Sequence, residues 1–384
     1  MTGTVALKRI ARIVAGQSPP SETVGQLGDG LPFMQGNAEF GLVHPTPQHS
    51  CDTAPKRCEA GDVLLSVRAP VGALNVAETA AGIGRGLCAV RPDGIDGRYL
   101  WWALHALRGE LMSVAVGSTY DAVTADQVGN LRIPQVGAAI EAKIADVLDA
   151  ETARIDALVR KRRRMMQLVQ DRQQQLVRDR IAFSGAPIPL KRRWTIVDCK
   201  HLTPTYVASG YPVVSPGDVT PGALDLLRCH RFVGEKDFAD LTQGRRPRRG
   251  DIIYSRNASI GIAALVTTDE PFTMGQDVCM ISSVDQSQRY LTYVLNSIGR
   301  DQLEEAKIGS TFSRVNIPQI AELLIPTPVP GQQDRIADEL DADAERSQAL
   351  LESLTHQIEL LREHREALIT AAVTGQIDVT KRAS

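Results

Sequence analysis

The sequence predicts an α+β chain, with two pseudo-repeated globular α+β domains separated by a long antiparallel two-helix coiled coil. Three observations predict it. Sequence blocks recur in the same order at a spacing that drifts only from 183 to 192 residues. Each copy begins with short β-type runs broken by Gly and Pro. Each copy closes on a long charged stretch with no helix breaker and a heptad period.

The repeat sets the organisation. "LKRIARIV" at Leu7–Val14 matches "LKRRWTIV" at Leu190–Val197, and "GDVLLSVRAPVG" at Gly61–Gly72 matches "GDIIYSRNASIG" at Gly250–Gly261. "GLCAV" from Gly86 parallels "DVCMI" from Asp277, and "RYL" at Arg98 returns at Arg289. "GSTYDAVTADQVGNLRIP" (Gly117–Pro134) returns as "GSTFSRVNIPQIAELLIP" (Gly309–Pro326). "KIADVLDAETARIDAL" (Lys143–Leu158) returns as "RIADELDADAERSQAL" (Arg335–Leu350). One unit of about 190 residues has been duplicated head to tail.

Within each unit "DVLLSV", "LCAVR", "DIIYS" and "DVCMIS" are apolar, β-branched runs bounded by Gly or Asp, which predicts strands. "RYLWWALHAL" and "RYLTYVLNSI" predict helices between them. These elements assign residues 1–136 and 185–329 to globular domains. Residues 137–184 and 330–374 are assigned to long helices, each roughly 60–70 Å at 1.5 Å per residue, and 375–384 to a tail. In the second helix Leu340, Ala344, Ser347, Leu351, Leu354, Ile358, Leu361, Arg365 and Leu368 form a heptad seam. The first offers Leu148, Thr152, Ile155, Val159, Arg162, Met166, Val169, Gln173 and Leu176. Residues 136–184 carry a net charge of +3 and 331–384 a net charge of −5. Opposite bias favours pairing of the two helices within one chain over a homodimer.

Composition narrows the function. The chain has 384 residues, is 43% hydrophobic, and has a formal net charge of −2, ordinary for a globular protein. No apolar run reaches the roughly 20 residues of a membrane span. The start, "MTGTVALKRIARIVAG", has no apolar export core. Six scattered Cys without a CxxC pair predict reduced thiols in a cytoplasmic protein. There is no phosphate-binding GxxxxGK[ST], no HExxH, no GxSxG, no dinucleotide fingerprint and no amino-methyltransferase motif. "GIGRG" (Gly82–Gly86) is a Gly-rich turn. His44, His49, Cys51 and Cys58 fall close together, but their spacing matches no common zinc module. Incidental loop residues are the better reading, and no metal is expected.

With these features together, the chain resembles the specificity (S) subunits of type I restriction-modification systems. The resemblance rests on the duplicated unit, the "GST…IP" block and the charged helix after it. It also rests on "IPTPVPGQQDRIADELD", the ending "REALITAAVTGQIDV", and "GQSPPSETVGQLGDGLPFMQGNAEFG" (Gly16–Gly41), similar to the start of a common target-recognition domain. The first helix departs from the pattern, since "IPQVGAAIEAKIADVLD" lacks the Pro-Pro and the Glu-Gln. The resemblance implies two target-recognition domains joined by spacer helices, in a subunit that is not itself an enzyme. It implies double-stranded DNA, two methyltransferase subunits and two restriction/motor subunits as partners. S-adenosylmethionine, ATP and Mg are then expected on those partners, and no cofactor on this chain.

Two reading domains on a rod predict an asymmetric, split DNA target with an unspecified spacer. Candidate DNA contacts are Arg68 and, in the matching block "SRNAS", Arg256 and Asn257, whose side chains suit guanine and adenine. They are equally readable as surface turn residues. Thr119, Tyr120, Thr311 and Phe312 belong to shared blocks and so point to architecture rather than to specificity. Lys191, Arg192 and Arg193, with Arg245, Arg246, Arg248 and Arg249, are candidate phosphate contacts. Their loss is expected to weaken binding uniformly. The rival readings are a coiled-coil scaffold that binds only protein and a self-contained nuclease or methyltransferase.

Overall fold

In a computed structural model the described residues are 3–113, 115, 122–307 and 314–379. They form two compact units, Met1–Arg163 with Thr355–Ser384, and Arg164–Leu354. Both unit boundaries fall inside long helices. Those helices are not separable from the globular parts, because their ends complete the globular cores.

The first unit contains a four-stranded antiparallel sheet. Its strands are β1 (Ala11–Ala15), β2 (Val63–Ser66), β3 (Leu74–Val76) and β4 (Leu87–Pro92), in the order β1-β4-β2-β3. A five-stranded sheet of shorter strands adjoins it, with Phe33 and Met34 paired in parallel to Gly82 and Ile83. Gly82 is tightly held there, since a Cβ would lie 2.4 Å from that of Ala54. Helix α1 (Gly97–Ala106) is capped by Asp96, whose carboxylate accepts from the amides of Arg98 and Tyr99. It packs Tyr99, Leu100 and Trp102 against Leu7, Leu65 and Ile133.

Long helix α2 (Ala138–Ala182) comes after the short helices Arg108–Ser113 and Ala125–Asn130 and the strand Arg132–Pro134. Ile144 and Leu148 from its first turns, with Leu368, Ile369 and Val373 of long helix α4 (defined below), lie in this same core. Fully burying one Leu side chain contributes about 1.5–3 kcal/mol.

The second unit repeats the plan. Its five-stranded sheet consists of β5 (Thr195–Asp198), β6 (Gly222–Ala223), β7 (Ile252–Ser255), β8 (Ala263–Leu265) and β9 (Val278–Ser282). The order is β5-β9-β7-β8-β6. The matching strands keep register, with Cys88 opposite Ala15 and Leu65 in the first sheet and Cys279 opposite Asp198 and Tyr254 in the second. Helix α3 (Gln288–Val294) stands where α1 stands, and long helix α4 (Pro330–Val373) where α2 stands. Proline at its first position suits α4, since a first-turn amide has no helical partner. Gly375, at φ +73°, ends it by taking the left-handed conformation.

The shared blocks serve as joints. Residues Thr4–Ala6 pair antiparallel with Arg132–Pro134, and Pro187–Pro189 with Leu324–Pro326. The segments "TADQ" and "NIPQ" make capping boxes, Thr124 with Gln127 and Asn316 with Gln319, at the start of a short helix just before each proline. The Tyr99 hydroxyl donates to the Pro134 carbonyl at 2.8 Å, and the Tyr290 hydroxyl to Pro326 at 2.9 Å. Arg98 bridges Asp146 and Asp149 on α2, as Arg289 bridges Asp338 and Asp341 on α4. Trp102 Nε1 donates to Asp149, and the Tyr293 hydroxyl to Asp341. Replacing Tyr99 or Tyr290 by Phe leaves a buried carbonyl without this donor. Each substitution is expected to cost about 1–2 kcal/mol, read from denaturant unfolding.

In the first unit the start of α2 meets the end of α4, and in the second the end of α2 meets the start of α4. The helices therefore pair antiparallel within one chain. Along α2, Leu148, Ile155 and Val159 are buried, and Met166, Val169 and Leu176 half-buried. Along α4, Leu340, Leu354, Ile358 and Leu368 are buried, and Leu351 and Leu361 half-buried. Polar seam residues find partners. Arg162 Nε donates to Gln357 at 2.7 Å, and Arg365 lies 3.4 Å from Asp156. Arg180 pairs with Glu339 and reaches Asp343. Basic α2 thus meets acidic α4. Among the described residues no helix is long and apolar enough to cross a membrane.

Candidate nucleic-acid interface

Strands β2 and β7 each run into the same turn. The Ser66 hydroxyl donates to the Arg68 carbonyl at 2.9 Å, and the Ser255 hydroxyl to the Asn257 carbonyl at 3.0 Å. The turn closes as the Gly72 amide donates to Ser66 and the Gly261 amide to Ser255. Both glycines sit at φ +82°, which side-chain-bearing residues resist. Opposite each turn comes a segment of the "GST…IP" block. Arg68 forms a bridge with Ala122, and Asn257 with Arg314. Arg68 therefore corresponds to Asn257, and Val67 to Arg256. Thr119, Tyr120, Thr311 and Phe312 lie outside the described residues.

Arg68 is exposed and makes no ion pair among the described residues. Arg256 corrects the expectation placed on it. It is 4% exposed and turned inward, where its guanidinium pairs with Asp198 and donates to the Val315 carbonyl at 3.1 Å. A buried charge needs such partners, and Arg256 has no freedom to meet a base. Asn257 is half-buried. Its Nδ2 donates to Asp277 at 3.2 Å and its Oδ1 accepts from the Ala258 amide at 2.7 Å. Asp277 also holds Arg314 Nε at 2.8 Å.

The basic clusters divide in the same way. Lys191 pairs with Glu322, Arg193 lies 3.9 Å from Asp285, and Arg249 lies 3.0 Å from Asp269. These pairs are exposed and contribute little, so they leave the charges available to a phosphate. Arg192 is exposed beside them, while neighbouring Trp194 is buried and donates to Gln288. Arg246 lies 5.7 Å over the Phe238 ring, and Arg248 is exposed. Arg245 is the exception, for its Nη1 donates to the Asp198 carbonyl at 2.8 Å. It braces the Asp198 strand rather than facing outward.

The His and Cys residues of the first unit go separate ways. His44 Nδ1 meets the Val76 carbonyl, and His49 approaches Glu39 at 3.7 Å. Cys51 contacts Thr23 and Thr53, while Cys58 is buried against Ala81, with burial pushing its thiol up to about 11. Asp198, Cys199 and His201 lie close together in the second unit. Asp198 is already committed to Arg256, and burial raises the Cys199 thiol.

Each unit also has a cleft beside its domain helix and α2. In the first it is about 1050 Å³, lined by Trp101, His105, Arg160, Arg163 and Arg362 among others. In the second it is about 330 Å³, with Gln173, Tyr293, Asn296 and Glu304.

Residues 199–360 match the family described as the type I restriction modification DNA specificity domain. Those residues carry the sequence pattern of that family. The match spans the second globular domain and most of α4. Over 125 residues the chain is 34% identical to the "Putative type I restriction enzyme MjaX specificity subunit" of Methanocaldococcus jannaschii, covering 32% of this chain and 29% of that one. Over 154 residues it is 23% identical to the MjaIX specificity subunit of the same organism, covering 37% and 36%. The chain thus spans about a third of the length of the curated relatives it matches.

Two solved structures share the fold. A chain from a structure reported for complex assembly and conformational transition of the type I R-M system superposes with TM-score 0.76 at 16% identity, covering 96% of this chain and 97% of that one. The HsdS subunit from Thermoanaerobacter tengcongensis superposes at 0.57 and 16%, covering 97% of each.

Several residues that shape the site were not expected from the sequence. They are Arg314 and Asp277 beside the turn, and the Arg98 and Arg289 clamps. The clamps had a signal in "RYL" and "IAD-x-LD", which recur at matching distances. Arg314 had none, because its counterpart is Ala122.

Proposed function

We propose that the chain is the DNA-reading, non-catalytic subunit of a cytoplasmic type I restriction-modification complex, and that it binds an asymmetric, two-part double-stranded target. The observation that carries the reading is the turn shared by both units. It presents Arg68 in one and Asn257 in the other on an otherwise repeated frame. The exposed Arg68 guanidinium suits guanine, whereas the Asn257 carboxamide is already bonded to Asp277 and the Ala258 amide, so the two turns meet their half-sites with different side chains. Arg192, Arg246 and Arg248 then serve as phosphate contacts that position without specifying.

The long helices set the distance between half-sites. The chain also scaffolds two methyltransferase subunits and two restriction/motor subunits, which hold S-adenosylmethionine, ATP and Mg. The cleft with Arg160, Arg163 and Arg362 offers a basic wall to an acidic surface of such a partner.

The test is a mobility shift with the full chain, alone and with the methyltransferase subunit. Sequence-specific retention of one bipartite duplex is expected, and none in either arrangement leaves the protein-only scaffold as the answer. Inserting one heptad into both helices is expected to lengthen the recognised spacer by about three base pairs, at 1.5 Å per helical residue and 3.4 Å per base pair.

A further inference from the structure

Each unit places one guanidinium at the same backbone bridge, but from opposite sides. In the first unit it is Arg68 facing Ala122, and in the second it is Arg314 facing Asn257. We propose that Arg314, oriented by Asp277, is a guanine-reading residue of the second unit, with the part there that Arg68 has in the first. The inference rests on the DNA-binding reading above and deepens it.

Three observations support it. First, Arg314 is held and yet available. Its side chain is 42% exposed, and among the described residues only its Nε is engaged, at 2.8 Å from Asp277. The two terminal nitrogens are the pair that fits O6 and N7 of guanine in the major groove. A carboxylate behind the Nε fixes the plane of the fork, which lowers the cost of ordering it on binding.

Second, Asp277 is a non-glycine residue at φ +65°. That left-handed conformation costs an L-residue about 1–2 kcal/mol, and a half-exposed ion pair returns about 1 kcal/mol at most. Orienting a recognition side chain gives that conformation a use beyond the ion pair itself. Asp277 is itself anchored, with its carbonyl accepting from the Arg256 amide at 2.9 Å and its carboxylate also taking Asn257 Nδ2.

Third, the first unit lacks the device. There the Val67 amide donates to the carbonyl of Gly86, the counterpart of Asp277. A Cβ on Gly86 would lie 2.7 Å from the Gln35 carbonyl oxygen. The carboxylate support therefore occurs only where the arginine sits on the second segment. A difference of this kind, on a shared frame, is what two unlike half-sites require.

The experiment selects duplexes from a randomised library with the full chain, purified together with the methyltransferase subunit. A two-part consensus is expected for the unaltered protein. Arg314→Ala should reduce discrimination for guanine by about tenfold or more at one position of one half-site, and leave the other half unchanged. Asp277→Asn should weaken discrimination at that same position. Arg68→Ala should act in the opposite half. Arg314→Lys keeps the charge without the fork and guards against loss of folding. It should retain overall affinity and still lose the guanine preference.

An Arg314→Ala consensus identical to that of the unaltered protein overturns the inference and leaves the DNA-binding reading standing. A uniform fall in affinity with an unchanged consensus also overturns it, since that is phosphate binding. No consensus from the unaltered protein overturns both.

Discussion

Replacing Arg256 by alanine is expected to destabilise the protein by about 3 kcal/mol, while the same change at Arg68 leaves stability unaltered. Removing one member of a buried ion pair strands the other charge, which accounts for the size of the effect. Here Asp198 loses its guanidinium partner and the Val315 carbonyl loses a donor.

The first unit shows what replaces the pair. Register places Ala15 where the second unit has Asp198, and the shared turn places Val67 where it has Arg256. The double variant Asp198→Ala/Arg256→Val should therefore recover at least about 1 kcal/mol of the loss, because no charge is left unpaired. Urea unfolding of the single and double variants reads this directly. Equal stability of the double and the Arg256→Ala variant would falsify the idea that the cost is an orphaned carboxylate.

Acid should weaken the first unit through one histidine. His105 lies in the cleft of that unit, with Nε2 buried and without a hydrogen-bond partner among the described residues. Burial chiefly, then the charges of Arg365 and Arg108, depress it from its ordinary 6.5 to about 4. Trp101 and Trp102 pack against the ring, and Asp149 and Asp156 line the same cleft.

A depressed histidine favours the fold only while neutral. Its full contribution is present above pH 6.5. It is lost as pH falls from 6.5 to about 4, where the unfolded chain takes a proton that the folded one refuses. That window holds about 3 kcal/mol. The counterpart in the second unit is Asn296, whose amide bonds both the amide and the carbonyl of Ala263. His105→Asn is expected to flatten the stability profile between pH 4 and 6.5 relative to the unaltered protein, measured as unfolding midpoints across that range. Parallel profiles would assign the acid sensitivity to carboxylates instead.

Much of the architecture was legible because it is written twice. The repeat gave the equivalence of β2 with β7 and of α1 with α3. Heptad spacing gave the seam, whose named apolar residues are all buried or half-buried. Helical periodicity survives in sequence because the positions that meet a partner lie three and four residues apart.

The recognition face was less legible, for a physical reason. Whether an arginine points inward depends on partners far along the chain. Arg256 finds Asp198 and Val315, each more than fifty residues away, and "SRNAS" contains no trace of either. A joint reading of the two units offered one hint, since Ala15 and Val67 change together to Asp198 and Arg256. Arg314 was hidden for the opposite reason. It belongs to a block that otherwise repeats, and repeated blocks point to architecture.

The closures at Pro134 and Pro326 have a bearing on inheritance. Each fastens with its own small strand pair, its own tyrosine and its own arginine clamp, and the chemistry is the same at both. A gene segment that encodes one such body carries its couplings with it. Recombination can exchange the interior of a unit wholesale, between the two halves or with a related gene, without a compensating change at the seams of the splice. Diversity can then be acquired in blocks rather than one substitution at a time.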